Sequence, residues 1–229
     1  MCGRFTLRTS ATVIADQFAV FEVPPFTPRF NIAPTQSVPV IRLDPKRPEP
    51  RRELVWLRWG LIPSWAQEAS IGSRLINARA ETAASKPAFR TALRRRRCLV
   101  AADGFYEWQA AGRSKQAYFI HFHDDRPFAF AGLWEAWESP QHSAIETCTL
   151  LTTEPNELIR PIHDRMPVIL PPEAYRSWLD PAIQDPRQLM PLIASYASDA
   201  MEAYPVGGLV NSPAHDTPQC IDRIGQLFS

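Results

Sequence analysis

A run of short β-rich segments in the middle of the chain constrains the fold more than any other feature. Between Cys98 and Thr153, segments rich in aromatic and β-branched residues alternate with short polar turns, which predicts successive strands. The predicted strands are 98–102, 105–109, 117–123, 128–137 and 147–153. Many short strands with few helices indicate an α+β fold around a curved, mostly antiparallel, barrel-like sheet.

The segments on either side add a few elements to this core. Helical apolar spacing predicts a helix over 11–21, with Thr9 or Ser10 as its N-cap, and the stretch 60–75 is predicted to be a loop. Additional strands are predicted at 37–43, 54–59 and 165–170, and additional helices at 81–94 with a break near Pro87, 154–159, 173–179 and 186–196. Because no Gly/Ser linker or internal repeat divides the chain, residues 1–229 are predicted to form one domain.

Charge and cysteine content exclude several classes of protein. The net charge of +1 argues against a protein that coats nucleic acid by bulk charge, so a nucleic-acid site has to be a local cleft. No two of the four cysteines form a CxxC pair and none has a histidine at metal spacing, so we expect no metal, no cofactor and no disulfide. No signal peptide or membrane-length apolar run is present, which predicts a cytoplasmic protein without a membrane partner.

The amino terminus carries the most reactive group in the sequence. A small residue at position two permits removal of the initiator Met1, and Cys2 would then present a free amine beside its thiol. Such a 1,2-aminothiol reacts with an aldehyde: the amine forms a Schiff base and the thiol closes a five-membered thiazolidine. Reference pKa values of about 8 for the amine and about 8.5 for the thiol leave both groups partly reactive at neutral pH. A cysteine at position two is by itself a weak signal.

Ordered motifs elsewhere in the chain strengthen that signal. They are RFNIAPT at 29–35, WGLIPSW at 59–65, INARAET at 76–82, CLVAADGFYEW at 98–108 and IHDRMP at 162–167. Together with Cys2 and the later pairs Val210-Asn211 and Cys220-Ile221, they resemble the SRAP family, the SOS-response-associated peptidases that process abasic sites. The resemblance covers nearly the whole chain. It implies the SRAP fold and a DNA-damage role in which the protein crosslinks covalently to abasic sites in single-stranded DNA, and associates with the nucleoid when bound.

The resemblance also implies roles for individual residues. The implied catalytic residues are Cys2 as the crosslinking residue, Asn77 beside the amino terminus, Glu107 as the carboxylate and His163 as the acid–base histidine. The implied DNA-binding residues are Arg4, Arg79 and Arg165 on the backbone and Trp65 near the bases. Ala66 follows Trp65 where some relatives have a second aromatic residue, so the resemblance does not extend to that part of the base-stacking surface.

The proposed chemistry is consistent with these residue types. Opening the cyclic abasic sugar to its aldehyde moves a proton, which a histidine such as His163 can transfer because its reference pKa is about 6.5. Glu107 would have to act as a base or proton shuttle, because a carboxylate that only pairs with the Cys2 ammonium would stabilise the unreactive charged amine. Asn77 can orient the amine or the sugar by hydrogen bonding.

Ordinary structural roles remain open for the same residues. Glu107 could lie on the polar face of a strand, His163 could cap a helix end, and Asn77 could form a turn. Arg79 and Arg165 could pair with Glu81 and Asp164 at the surface. Four tryptophans are interpreted as core residues: Trp56, Trp59, Trp108 and Trp134. The run Arg94–Arg97 is interpreted as a solvated helix end rather than a DNA contact, and His121 and His123 receive no function.

Two other functions compete with crosslinking. A thiol peptidase would use Cys2 as a nucleophile assisted by His163, with removal of its own leader as one instance. A non-catalytic reader of modified DNA would have no need of a free thiol at the amino terminus. Of the three functions, only crosslinking predicts a covalent adduct with abasic DNA. Its activity would be of the lyase type, and we expect the protein to act as a monomer.

Overall fold

A closed five-stranded β-barrel forms the centre of the fold. The computed structural model describes residues 2–45, 47, 51–139 and 143–225. Its strands are β1 (Arg4–Leu7), β2 (Arg29–Ile32), β3 (Ser37–Leu43), β4 (Arg52–Trp59), β5 (Asn77–Arg79), β6 (Arg97–Ala102), β7 (Gly104–Ala111), β8 (Ser114–Phe122), β9 (Phe128–Glu138), β10 (Ala144–Thr153), β11 (Met166–Pro167), β12 (Ile169–Leu170) and β13 (Met201–Pro205). The barrel runs β10-β4-β3-β6-β9 and closes where β9 pairs antiparallel with β10. Only the β10–β4 contact in this ring is parallel.

The helices are short and lie around this core. They are α1 (Ala11–Phe18), α2 (Ala80–Ala83), α3 (Arg90–Arg95), α4 (Tyr175–Leu179) and α5 (Pro186–Leu189). Single 3₁₀ turns cover Ala69–Arg74, Pro172–Ala174, Met190–Leu192, Ser198–Ala200, Gly208–Asn211 and Pro218–Ile221. None of the helices in the described part of the chain has the length and apolar character needed to cross a bilayer.

A second sheet packs against the barrel and contains the amino-terminal strand. Its order is β13-β8-β7-β1-β2, so β1 is paired on both sides. Phe5 of β1 is fully buried and lies edge-on to Trp59 and Phe130 of the barrel, with ring centroids 5.3 and 5.7 Å away. Edge-to-face aromatic pairs of this kind stabilise a core beyond the burial of their area. Strand β1 is therefore fixed within the second sheet, with Phe5 packed against the barrel.

The predicted α+β class with a barrel-like core is confirmed. The strand at Ser37–Leu43 has the predicted bounds, and the other predicted strands of the barrel and second sheet are present with ends shifted by a few residues. Ser10 is the N-cap of α1, with its side chain accepting a hydrogen bond from the Val13 amide. The segment predicted as one strand over 165–170 forms two short strands on either side of Val168, which bonds to both β10 and β9.

Two predicted helices differ from the structure, one because it is absent and the other because it is shorter than predicted. The segment 154–159 forms turns: the Asn156 side chain accepts from the Ile159 amide, and Pro161 cannot donate the hydrogen bond that would extend the turn. The helix predicted over 186–196 ends as α5 at Leu189 and continues only as a 3₁₀ turn containing Pro191.

The arginine run also differs from its prediction. Arg94 and Arg95 are exposed at the end of α3, but Arg97 is buried and therefore not part of a solvated helix end. Its guanidinium donates to the carbonyls of Leu93 and Arg94 in the last turn of α3, at 2.8 and 2.9 Å, and also to the carbonyl of Trp178. A cation at this position satisfies carbonyls that a helix end leaves unpaired.

Asp103 ties β1 to the strands beside it. The carboxylate is buried and accepts hydrogen bonds from the Thr6 hydroxyl at 2.6 Å and from the Thr9 amide and hydroxyl at 2.8 Å each. It also pairs with the Arg8 guanidinium at 3.2 Å. A single buried carboxylate therefore fixes where β1 ends and α1 begins.

We expect Asp103→Asn to be strongly destabilising. The amide cannot accept from every donor that converges on this position, so buried N–H and O–H groups lose their partner, at a cost of about 3–5 kcal/mol. Urea unfolding monitored by tryptophan fluorescence measures this difference. Asp124→Asn is the matched control because Asp124 is exposed and pairs with Arg126 at the surface. An equal loss in both variants would contradict the anchoring role of Asp103.

Candidate active site

Cys2 lies fully buried where β1 enters the second sheet. The antiparallel register of β1 and β7 pairs Arg4 with Tyr106, which brings Gly3 level with Glu107. The Cys2 Sγ lies 3.8 Å from the Arg4 carbonyl oxygen. Burial and the negative charge of Glu107 both raise the pKa of the Cys2 thiol well above its usual value. The resting side chain is therefore a protonated thiol.

Asn77 holds the main chain at Cys2. It begins β5, which pairs in parallel with β10, and its Nδ2 donates to the Cys2 carbonyl oxygen at 2.8 Å. The Asn77 Oδ1 is buried and has no hydrogen-bond partner within the described ranges. A buried amide oxygen without a donor is costly, so this atom is suited to accept a hydrogen bond from a bound group.

Glu107 is a buried carboxyl group on β7. Only 1% of the residue is exposed, and burial raises the pKa of its carboxyl group to about 7. A carboxyl group with this pKa exchanges a proton readily near neutral pH, which is the property required of a general acid or base.

His163 faces Glu107 from the loop between β10 and β11. Its Nε2 lies 3.8 Å from Glu107 Oε2, and its Nδ1 accepts a hydrogen bond from the Arg165 amide at 3.0 Å. Burial lowers the pKa of the imidazole. The neutral ring therefore carries its proton on Nε2, toward Glu107, while Asp164 Oδ1, 2.9 Å from Nδ1, pairs with it only when the ring is protonated.

Glu107 and His163 border one open cavity. Its volume is about 430 Å³. The lining residues are Gly3, Arg4, Pro34, Glu107, Trp108, Lys115, His163 and Asn211. His163 and Arg165 also border a neighbouring open cavity of about 630 Å³. An extended ligand can therefore pass His163 from one cavity to the other.

The predicted site residues are only partly brought together. Glu107, His163 and Arg4 line the cavity. Cys2, whose carbonyl Asn77 holds, is buried beside Glu107 and does not line the cavity. Arg79 is exposed on β5, where it is in register with Thr152 of β10. The Thr152 carbonyl accepts a hydrogen bond from Arg165 at 2.7 Å. Arg79 and Arg165 therefore lie close to each other at the edge of the site. Trp65 is 59% exposed and does not line the cavity.

Arg165 also forms a surface ion pair, which was the structural alternative to DNA binding for this residue. Its guanidinium forms a two-pronged ion pair with Glu81 at 2.8 and 2.9 Å. Its side chain is only 11% exposed. A phosphate that reaches Arg165 has to share it with Glu81 or displace that carboxylate.

Sequence reasoning missed part of the cavity wall. Trp59 and Trp134 are buried as predicted, but Trp56 is 38% exposed and Trp108 lines the cavity, with its Nε1 donating to Asn211 at 2.8 Å. The position of Trp108 directly after Glu107 was an available signal, because neighbouring residues at the end of a motif often share a site. Lys115 also lines the cavity. It belongs to none of the motifs, so nothing in the sequence indicated this position.

Proteins of known structure share this fold. A protein from Bacteroides thetaiotaomicron superposes with a TM-score of 0.84 over 97% of this chain and 100% of that chain, at 26% identity. A protein from Bordetella bronchiseptica superposes with a TM-score of 0.74 over 90% of this chain and all of the other, at 27% identity. The chain belongs to the SOS response associated peptidase (SRAP) family, which matches residues 1–213.

Curated relatives carry a common description. The abasic site processing protein YoqW of Bacillus subtilis is 45% identical over 97% of this chain and 99% of its own length. The abasic site processing protein HMCES of Gallus gallus is 34% identical over 86% of this chain and 66% of its own length. The bacterial relative thus aligns along nearly its whole length, while the bird protein has additional sequence.

Proposed function

We propose that this protein processes abasic sites by bonding covalently to them through Cys2, in single-stranded DNA. The observation that carries the proposal is that Cys2, held by Asn77, is buried beside a cavity that Glu107 and His163 line. The relatives named as abasic site processing proteins supply the substrate class. The proposal requires that Met1 be removed, so that the amine and the thiol belong to the same residue.

The reaction forms two bonds to the aldehyde carbon of the opened sugar. The Cys2 amine adds to this carbon and water leaves, which gives an imine. The Cys2 Sγ then attacks the same carbon, and the thiol proton ends on the ring nitrogen of the thiazolidine. The adduct therefore weighs one water less than its two components. Holding the three groups together makes ring closure effectively unimolecular, which is worth up to about 7–11 kcal/mol.

Glu107 and His163 can each transfer one of the protons that this reaction has to move. A carboxyl pKa of about 7 is close to the reference value of about 8 for an α-amine, so Glu107 can take the proton from the Cys2 ammonium at little cost. His163 is neutral at rest and carries a proton on Nε2, from which it can exchange a proton with the sugar oxygen. Asn77 orients Cys2 through its carbonyl.

The state of the thiol favours crosslinking over peptide cleavage. A thiol peptidase works through the thiolate, which is stabilised by a lowered pKa. Burial and Glu107 raise the pKa of Cys2 instead. In the crosslinking sequence the thiol acts second, after the amine has reacted, and the positive charge of the protonated imine then lies beside the sulfur and promotes loss of its proton.

Access to the cavity favours single-stranded DNA. Cys2 is fully buried, so the aldehyde has to leave the path of the strand and enter the cavity. An unpaired strand can turn its sugar inward and stack neighbouring bases on aromatic residues such as Trp108 or the exposed Trp65. A paired duplex resists this distortion.

Intact mass spectrometry after mixing with an abasic oligonucleotide tests the proposal. We expect a species equal to protein without Met1 plus DNA minus one water. The same oligonucleotide with an intact base is the control. A protein that lacks Met1 but forms no adduct with abasic DNA would refute crosslinking, whereas a cleaved peptide substrate would support the peptidase alternative.

We expect His163→Ala to slow both formation and reversal of the crosslink. Both directions move a proton on the same sugar oxygen, and general acid–base assistance at a partly exposed histidine is worth about 10²-fold. Gel assays on one oligonucleotide measure the two rates separately. His123→Ala is the matched control, because His123 is exposed and away from the cavity. Normal reversal with slow formation would contradict a shared proton shuttle.

A further inference from the structure

The buried side chain of Asn31 connects three parts of the molecule. Asn31 belongs to the RFNIAPT motif and lies in β2, outside the group of residues that line the cavity. Its carboxamide lies between Arg4, at the cavity wall, and residues 208–216, which we call the C-terminal strap. This strap contributes Asn211 to the cavity.

Hydrogen bonds determine the orientation of the Asn31 amide. Its Nδ2 donates to the carbonyl oxygens of His215 at 2.7 Å and Ser212 at 3.0 Å, with Val210 further away at 3.3 Å. A nitrogen is required on this side, because an oxygen would face three carbonyl oxygens. The Asn31 Oδ1 is therefore directed to the other side, where it accepts from Arg4 Nη1 at 3.4 Å.

Arg4 is held by neutral acceptors only. Its Nη1 donates to the Val210 carbonyl at 2.7 Å as well as to Asn31, and it forms no ion pair within the described ranges. The guanidinium therefore keeps its full positive charge at the cavity wall. Its Nε and Nη2 have no hydrogen-bond partner in the described part of the chain, and together they form the edge that binds a phosphate with two parallel hydrogen bonds.

We propose that Asn31 is a positioning residue for DNA binding, which holds Arg4 as an uncompensated cation with its two-donor edge turned to a phosphate beside the abasic sugar. The proposal rests on the proposed function, because it takes DNA as the ligand. It explains why an amide is needed at position 31: aspartate has the same size, but it would neutralise Arg4 and repel the carbonyls of the strap.

The test uses equilibrium binding rather than crosslinking. The probe is a single-stranded oligonucleotide with a tetrahydrofuran abasic analogue, which has no aldehyde. We expect Asn31→Asp to bind it about tenfold more weakly, since one charge-assisted contact is lost. The slope of log K against log salt should become less negative by about 0.7, the value for one phosphate contact in single strands. A change in folding alone does not predict this slope.

A double-mutant cycle with Arg4→Gln separates positioning from structural support. If Asn31 acts through Arg4, Asn31→Asp should cost little further affinity once Arg4 is absent. Asp216→Asn is the control for anchoring of the strap, because Asp216 accepts from the Phe30 and Asn31 amides and pairs with Arg29, but makes no hydrogen bond or ion pair with Arg4 within the described ranges. This control should show no coupling to Arg4→Gln.

Two results would overturn the proposal. One is an unchanged salt slope in folded Asn31→Asp, and the other is full additivity with Arg4→Gln. If thermal melting shows that Asn31→Asp is unfolded, Asn31→Ser replaces it in the same cycle, because its hydroxyl is too short to reach Arg4. Failure of crosslinking with normal binding of the analogue would count against the proposed function and leave the role of Asn31 intact.

Discussion

Cys2→Ser is expected to abolish the stable adduct while leaving the amine reactive. Serine is also small, so Met1 can still be removed, and the free amine can form an imine with the aldehyde. The hydroxyl is a far weaker nucleophile than the thiol and does not close the ring. The imine then hydrolyses or promotes strand cleavage by β-elimination. On a denaturing gel we expect no adduct, and a covalent band only when borohydride reduces the imine.

Borohydride trapping also separates the two candidate chemistries. A peptidase that uses Cys2 purely as a thiol nucleophile predicts no trapping with abasic DNA. A stable Cys2→Ser adduct without reductant would rule out the thiazolidine. Cys220→Ser is the matched control, since Cys220 is also buried but its thiol donates to the His215 carbonyl, away from the cavity. Mass spectrometry first has to establish that both variants lack Met1.

Glu107→Gln is expected to slow crosslinking by about 10²–10⁴-fold, the usual contribution of general acid–base catalysis. Glutamine has the size of the carboxyl group but cannot accept a proton. In the wild type, the rate should rise with pH through about 7 as the Glu107 carboxyl ionises. In the variant the rise near pH 7 should be absent, and only the rise from deprotonation of the amine at about pH 8 should remain. Single-turnover rates between pH 5 and pH 9 measure both effects, and a variant with the wild-type pH profile would remove Glu107 from the mechanism.

The stability of the same variant provides its folding control. Because the pKa of Glu107 is raised in the folded state, folding favours the protonated form. The wild type therefore loses stability as pH rises from the unfolded-state pKa of about 4.3 through the folded-state value of about 7. Glutamine does not ionise, so Glu107→Gln should be more resistant to urea than the wild type at pH 8, with the advantage disappearing near pH 4. A variant that is both inactive and less stable at pH 8 would indicate misfolding instead.

The barrel could be predicted because each of its strands carries its own local signal. Segments such as Phe128–Glu138 are dense in aromatic and β-branched residues, and their burial follows directly. The strands β1, β2 and β13 were not predicted, because they are short and form only by pairing with partners far along the chain. Local propensity contains no information about such pairing.

The candidate site was likewise predictable where motifs mark its residues, and not where it depends on contacts between distant parts of the chain. The family motifs alone indicate that Cys2 and Glu107 share one site, and the β1–β7 pairing gives the physical reason for their proximity. The motifs do not reveal that Glu81 forms an ion pair with Arg165, although such a surface ion pair was one of the alternatives considered. The bond between Asn31 and the carbonyls of the strap was also out of reach, because it joins residues about 180 positions apart.

The place of β1 inside the second sheet sets a time limit during synthesis. If Cys2 reacts as proposed, an aminopeptidase has to remove Met1 before Cys2 is enclosed, and the neighbouring strand β7 begins only at Gly104. At about 5–20 residues per second, the ribosome needs on the order of ten seconds to make β7 after the amino terminus emerges. The same delay keeps the aminothiol away from Glu107 and His163 in the nascent chain. Maturation of the amino terminus and assembly of the reactive site are thus separated by the order in which the chain is made.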